Sequence, residues 1–363
     1  MPMITNDMLA RGVADGIITA EQAERLRALD NSSEPLDLPS SPDDEQLRFV
    51  SGFSDVFVTL GLAMFVGAVG YFIDRSYGGA AMWIGVAVIT WLLAEFFTRK
   101  RRMALPSIVL LIGFAAAAFI GLDALLAGLF VDHGGRQTPS TAIPLGIDGA
   151  PPTVMAVAAL LTVLLTAAHY WRFRVPITIA AGCAALTIAV VGLAYSLIPQ
   201  LASVGYAAVI FVCSLAVFAL AMRFDMSDPE RLTRRTDIAF WLHLLAAPLI
   251  VHSLIRGLLV DPTRLDPASA VAIMVVFLAL SLVAVLIDRR AMLVSGLAYT
   301  GYAFATLFRA AGFSDITTPA TLLVLGAFVL LLSAGWRPLR AAVWRVTPSV
   351  LTRRLPRLSV QTT

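Results

Sequence analysis

The sequence predicts an all-α fold: a polytopic integral membrane helical bundle of about ten transmembrane helices behind a small N-terminal helical-hairpin head. Composition is the first reason. Of 363 residues, 58% are hydrophobic and only 14% charged, and the mean hydropathy is +0.82. An average soluble domain is roughly 45–50% apolar and about 25% charged. The second reason is segment length: from Phe53 onward apolar runs recur that are long enough to cross about 30 Å of hydrocarbon at about 1.5 Å per residue. The third is a charge bias that alternates from one connection to the next. The same numbers exclude a disordered chain, and two cysteines cannot staple a chain of this length.

The head, residues 1–29, and an acidic linker with a juxtamembrane helix, 30–52, come first. Up to Ser51 there are ten acids against four arginines, a net −6, while the whole chain is +3. No basic region followed by an early apolar run is present, so a signal peptide is not expected. Asn6–Ala14 reads as a short helix stopped by Asp15-Gly16. Thr19 and Gln22 then form the T-x-x-Q capping box of a second helix. Residues Asp30–Ser41 are rich in Ser, Pro and acids, which reads as a linker. Ser41-Pro42-Asp43-Asp44 opens a further helix with an N-cap, a Pro at its first position and acids at the positive end of its dipole.

The segment Gly16-Ile17-Ile18-Thr19-Ala20-Glu21-Gln22 resembles the G-I-I-T-x-E-[EQ] helical hairpin of the short C-terminal (SHOCT) domain. With the bundle behind it, the chain is also similar to a bacterial family of polytopic membrane proteins of unknown function that opens with such a hairpin. The resemblance covers roughly 25 of the 363 residues, and its motif is short. It implies an interaction or oligomerisation module, binding a protein partner or a second copy through residues 1–29, and brings no catalytic residues with it. A solvated hairpin that merely caps the bundle is the plainer alternative.

Within the membrane domain, 53–336, ten spans are predicted: Phe53–Ile73, Gly79–Phe97, Leu105–Phe130, Thr153–Trp171, Val175–Leu197, Leu201–Met222, Ile238–Leu259, Ala268–Ile287, Ala291–Phe308 and Pro319–Trp336. Only Ile198-Pro199-Gln200 divides the fifth from the sixth. With the N-terminus inside, 22 of the 27 basic residues fall on the inner side and five (Arg75, Arg136, Arg256, Arg264, Arg309) on the outer. Every inner connection carries at least two positive charges, as the positive-inside rule requires, so both termini are expected in the cytoplasm. One lysine among 27 basic residues suggests a GC-rich bacterial genome, hence an inner membrane. The connection Val131–Pro152, with four Gly and four Pro, reads as an irregular outer loop. The stretch 337–363 reads as a basic amphipathic cytoplasmic tail. Its six arginines, Arg337 to Arg357, would lie on anionic inner-leaflet lipid. Nucleic acid is not an expected partner, because the basic residues sit where the orientation rule puts them.

Polar residues inside a bilayer are costly and mark functional candidates. Asp55, Glu95, His169 and His243 fall near inner ends; Asp123, His252 and Arg256 fall near outer ends. No charge sits at a predicted midplane, which disfavours an ion-coupled pump. In the ninth span Ser295, Tyr299, Tyr302, Thr306 and Arg309 share one helical face. They could wall a cavity open to the outer side, or serve only as interhelical hydrogen bonds, worth about 0.6 kcal/mol each on average. The seventh span adds Pro248, His252 and Arg256 at steps of four. If the third, seventh and ninth spans are neighbours, Asp123, His252, Arg256, Tyr299, Tyr302, Thr306 and Arg309 form a polar outer pocket suited to an anion or zwitterion. The simpler outcome is an Asp123–Arg256 salt bridge that locks the bundle.

Cys183 and Cys213 read as small apolar filler. No metal site and no cofactor is expected, since ligand spacing and the H-E-x-x-H, G-x-S-x-G, Walker and Rossmann patterns are all missing. Two function classes follow. One is a non-catalytic membrane-anchored interaction or oligomerisation protein; the other is a small-solute secondary transporter on a five-plus-five inverted-repeat plan. The two halves share no matching motif, which favours the first.

Overall fold

A computed structural model describes residues 6–24, 53–130, 151–200, 205–228, 233–258, 266–288 and 291–346. The expected linker with its juxtamembrane helix, most of the Val131–Pro152 loop and the tail beyond Val346 lie outside the described residues. The head and the membrane domain belong to separate compact units.

The head helix is Asn6–Ala14. It ends as the sequence dictates. Gly16 takes φ 68°, open to glycine without strain. The Ile17 N–H then donates to the Gly12 carbonyl at 2.9 Å and the Gly16 N–H to Val13 at 3.1 Å, which together satisfy the last carbonyls of the helix. The capping box is formed reciprocally: the Thr19 N–H donates to Gln22 Oε1 at 2.9 Å, and the Gln22 N–H to Thr19 Oγ1 at 3.2 Å. Leu9 and Ala23 are buried, while Ile17 is exposed.

Among the described residues of the membrane domain there are ten long helices. They are Phe53–Tyr77, Gly79–Ala94 with a π-helical continuation Glu95–Lys100, Ala104–Phe130, Pro152–Phe173, Ile177–Leu197, Tyr206–Met226, Arg234–Leu258, Pro267–Ile287, Ala291–Ala310 and Thr317–Val346. Among the described residues nine stretches are long and apolar enough to cross a membrane. The twenty-residue helix Ala291–Ala310 fills the ninth predicted span. The chain is therefore a multi-pass membrane protein, all-α throughout its described residues. Several boundaries shift by about a turn, and the largest difference is at the tenth helix, which does not stop at Trp336 but runs on through Pro338 to Val346.

Alanines make up much of the interior, beside a smaller set of large side chains such as Leu111, Leu242 and Ile273, while many large apolar residues face out. Ala158, Ala159, Ala221, Ala239, Ala246, Ala247, Ala270, Ala284 and Ala303 are fully buried, while Phe72, Leu164, Leu193, Val212, Leu323, Leu330 and Leu331 are exposed. Lipid tails are as apolar as leucine, so burying leucine gains little in a bilayer, and close backbone approach through small residues drives helix association instead. Among the described glycines, the tightest approach to another helix's backbone is at Gly192 of the fifth helix. A Cβ there would stand 2.8 Å from the Pro152 carbonyl oxygen and 3.0 Å from the Ala156 nitrogen, both backbone atoms of the fourth helix.

Packing is serial. The second helix pairs most extensively with the third, the fourth with the fifth, the sixth with the seventh and the eighth with the ninth. Each pair is a hairpin whose turn lies at the end of the domain that carries Arg99–Arg102, Arg172, Arg174 and Arg223, called here the arginine-rich end. Three of the four turns pass through a non-glycine residue in the left-handed region: Arg102 and Arg174, each at φ 54°, and Asp288 at φ 58°. Such a conformation costs an L-residue about 1–2 kcal/mol. The sixth–seventh turn is closed differently, by Asp228 accepting from the Thr233 N–H at 2.8 Å, Thr233 Oγ1 at 2.6 Å and Thr236 Oγ1 at 3.0 Å. The odd-numbered helices touch in sequence, first to third to fifth to seventh to ninth. The two halves of the domain meet chiefly where the fifth helix packs on the sixth and seventh.

Candidate functional site

At the end opposite the arginines, the structure brings together two of the seven predicted pocket residues. The seventh helix packs on the ninth, and His252 Nδ1 hydrogen-bonds the Tyr299 hydroxyl at 2.8 Å. Arg256 follows one turn after His252 and is half-buried. The other members go elsewhere. Thr306 is buried, but its hydroxyl donates to the Tyr302 carbonyl of its own helix at 3.0 Å. Tyr302 and Arg309 are exposed. The side chain of Ser295 lies outside the described residues.

Asp123 belongs to a different neighbourhood. The third helix packs against the first, second, fourth and fifth. Phe119 and Leu126, on the same face as Asp123, join an apolar cluster with Met155, Ala159, Tyr195 and Ile210. The carboxyl is buried, and its Oδ1 has no hydrogen-bond partner among the described residues. The Asp123–Arg256 salt bridge is not formed. Serial packing is the reason: the third and seventh helices are separated by the fifth, which lies between them in the odd-numbered row.

The richer polar chemistry lies at the arginine-rich end. There Glu95, in the π-helical stretch, accepts from Arg172 Nε at 2.7 Å and Nη2 at 2.9 Å across to the fourth helix, and from Arg99 Nη1 at 3.3 Å. His169 is buried among rings, its centroid 5.3 Å from Phe114 (stacked), 4.5 Å from Phe173 and 5.5 Å from Trp91. Its Nδ1 lies 3.4 Å from the Thr178 hydroxyl. Asp225 and His243, both buried, join the sixth and seventh helices at 2.8 Å.

Asp288, the left-handed cap of the eighth helix, accepts from Trp336 Nε1 at 2.8 Å and from Arg340 Nη1 at 3.2 Å, both on the tenth. Arg340 is only 3% exposed. The tail expected on lipid thus gives up one of its six arginines to the bundle, because Arg340 finds a buried carboxylate one turn beyond Trp336.

Each of these groups sits near the C-terminal end of an even-numbered helix or the N-terminal end of an odd-numbered one, so antiparallel alternation collects them at one end. Sequence reading noted Glu95, His169 and His243 by depth alone and passed over Asp225, Asp228 and the Asp288–Arg340 pair. The partners of Asp225, Glu95 and Asp288 are 18, 77 and 48 residues away, so no local spacing could announce them, whereas those of Asp228 lie only five and eight residues on.

Chemically these are pins between helices. Among the described residues no group of three or more His, Cys, Asp or Glu is placed to hold a metal ion. Cys183 and Cys213 are free and half-buried. Compared with family models, curated proteins and solved structures, the chain matches none of them.

Proposed function

We propose that the chain is a non-catalytic, membrane-anchored interaction or oligomerisation protein of a bacterial inner membrane, with both termini in the cytoplasm and residues 1–29 as the binding head. The observation that carries this reading is the serial packing of the ten helices. An inverted-repeat carrier places its substrate between two halves in broad contact, whereas here the halves meet chiefly along the fifth helix. The head supports it too: a closed turn and a reciprocal capping box hold the hairpin and leave Ile17 exposed at its tip. The anionic-lipid role of the tail belongs to the same reading, through its arginines other than Arg340.

The test is a photo-crosslinking residue at Ile17 of the full chain, expressed in cells, with the same probe at Glu24 as control. A discrete adduct with one partner or with a second copy, formed from Ile17, is the expected result. No adduct at Ile17, combined with solute flux that survives deletion of residues 1–40, would overturn the proposal. One observation favours the alternative, a carrier for a small anion or zwitterion: Asp123 is a buried carboxyl whose Oδ1 is unsatisfied among the described residues.

A further inference from the structure

Helices two and four are parallel, with one helix between them in sequence, and both end at the arginine-rich end. Among the described residues their contacts gather at that end, in the π-helical stretch and where the Trp91 ring meets His169 and Phe173, while the third helix packs on both. On the face turned away from the third helix this leaves a shallow groove along the pair, floored near this end by the Trp91, His169 and Phe173 rings and closed there by the two-pronged Glu95–Arg172 bridge.

The helical repeat says what lines it. Glu95 and Arg172 face one another. Phe96 follows Glu95 by one residue and Trp171 precedes Arg172 by one, so equal and opposite rotations of about 100° bring both to the same side of the helix pair. Leu92, one turn before Glu95, and Leu164, two turns before Arg172, fall on that side as well. Trp91, Phe173 and His169 fall on the other, packed with Phe114 of the third helix. All four groove residues are exposed, Trp171 at 82% and Leu164 at 65%.

The groove runs into two basic turns. Across Arg99–Arg102, Arg172 and Arg174 there are six basic side chains, and Glu95 engages only Arg172 and Arg99. Lys100, Arg101, Arg102 and Arg174 are exposed and form no ion pair among the described residues; Arg101 stands over the Phe96 ring, 5.6 Å from its centroid. Arg102 and Arg174 also hold left-handed backbone positions where glycine would be free of strain, so the charge is kept at a cost to the turn.

A groove for an acyl chain that leads to uncompensated cations fits one chemistry, and the geometry points to a binding site for a phosphate-bearing anionic lipid: acyl chain between helices two and four, head group on the Arg102 and Arg174 turns. A free phosphate would use the cations but not the groove. This site is distinct from the tail and independent of the head's role.

The test is retention of dioleoylphosphatidylglycerol against dioleoylphosphatidylcholine by the purified full chain in mild detergent, read by native mass spectrometry. Each basic residue near a membrane surface contributes about fivefold to anionic-lipid affinity. Arg102→Gly with Arg174→Gly should therefore weaken retention of the anionic lipid by roughly 25-fold, with thermal stability unchanged or raised because both turns lose strain. Leu164→Trp, an exposed change that fills the groove and alters no charge, should also release the lipid. Replacing Arg353 and Arg354 of the tail by Gln should leave it bound. Equal retention of the zwitterionic lipid, undiminished binding in either groove variant, loss in the tail variant equal to that in the turn variant, or displacement by millimolar inorganic phosphate would each overturn the assignment.

Discussion

The pairing of Arg340 with Asp288 sets two readings of the C-terminal arginines against each other. On a lipid surface, Arg340 would be one dispensable charge, and its loss would change stability by no more than about 0.5 kcal/mol. In the structure it is buried, 3.2 Å from a carboxylate that is itself 5% exposed. Arg340→Met keeps the apolar stem and removes the cation. Breaking one side of a buried ion pair costs about 3–5 kcal/mol. Asp288 retains the Trp336 indole N–H at 2.8 Å, which places the loss at the lower end, about 3 kcal/mol. At about 1.4 kcal/mol per factor of ten, opening of the segment after Trp336 should rise by about two orders of magnitude.

Hydrogen exchange of the amides from Leu339 to Val346 measures that opening directly. Asp288→Asn keeps an acceptor for the indole and tolerates the left-handed backbone, so it should loosen the same amides. The double variant should cost less than the sum of the two, with a coupling of about 2 kcal/mol. Exchange altered by less than about threefold in Arg340→Met, or strict additivity, would refute the buried pair as the element that docks the end of the tenth helix.

Four further outcomes are expected. Gly192→Ala should destabilise the fourth–fifth hairpin by about 1–3 kcal/mol in detergent denaturation, because the Pro152 carbonyl oxygen and Ala156 nitrogen that a Cβ would meet are backbone and cannot turn aside as the Met155 methyl can; an unchanged midpoint would show that the helices can part freely. Asp123→Asn should be neutral or stabilising by up to about 2 kcal/mol, since it removes a buried carboxyl with an unsatisfied oxygen; a large destabilisation would reveal a partner for that carboxyl. In a background lacking Cys183 and Cys213, Tyr299→Cys and Thr306→Cys should resist a membrane-impermeant thiol reagent. Their side chains are spent on His252 and on the ninth helix itself, and labelling of both would restore an aqueous cavity and the carrier reading. Outside the spans, Asp266 caps the eighth helix; its hydrogen bonding to Ser269, above all, holds its carboxyl below the usual carboxylate range. A depressed folded value means the cap's contribution is complete above the unfolded value, about 3.9, and is lost as pH falls through the folded one. The drop in thermal midpoint between pH 6 and pH 3 should shrink in Asp266→Asn, and an equal drop would remove the cap from the acid response.

How much of this was legible beforehand divides along physical lines. Span positions were legible because a bilayer demands a run of apolar residues whatever the tertiary fold, and helices overlie the predicted runs, nine of them long and apolar enough to cross a membrane among the described residues. The head's capping box was legible because Thr19 and Gln22 are three residues apart and the interaction is local. The end of the tenth helix was not. The arginines from Arg337 onward read as the start of a separate tail, yet the helix continues through Pro338, and Arg340 gains a carboxylate by continuing. Helix order in space was illegible for the same reason that periodicity fails here. When the outside is lipid, Leu and Phe can face out and Ala can face in, so the apolar pattern does not say which face packs on which neighbour. Asp123 and Arg256 shared a depth, but depth is one coordinate out of three.

The same inversion explains why the polar residues at the arginine-rich end carry so much of the helix-to-helix specificity. An alanine face fits nearly any other alanine face, so alanine packing alone leaves register and neighbour choice loosely determined. A carboxylate wholly or partly withdrawn from water is different: it favours the arrangement that supplies its donor. Glu95 binds the fourth helix to the second, Asp225 the seventh to the sixth and Asp288 the tenth to the eighth. Two of these join helices that are not neighbours in sequence, second to fourth and eighth to tenth, which hairpin turns cannot do. All three lie near the membrane surface rather than at mid-depth, where each would cost less to desolvate if its partner moved. A bundle pinned at one end and held elsewhere by small-residue packing has its freedom at the opposite end, where the His252–Tyr299 bond joins the seventh and ninth helices. Removing that bond by Tyr299→Phe should therefore increase hydrogen exchange in the last turns of the seventh helix while leaving Asp225 and His243 undisturbed, because the pins act independently along each helix.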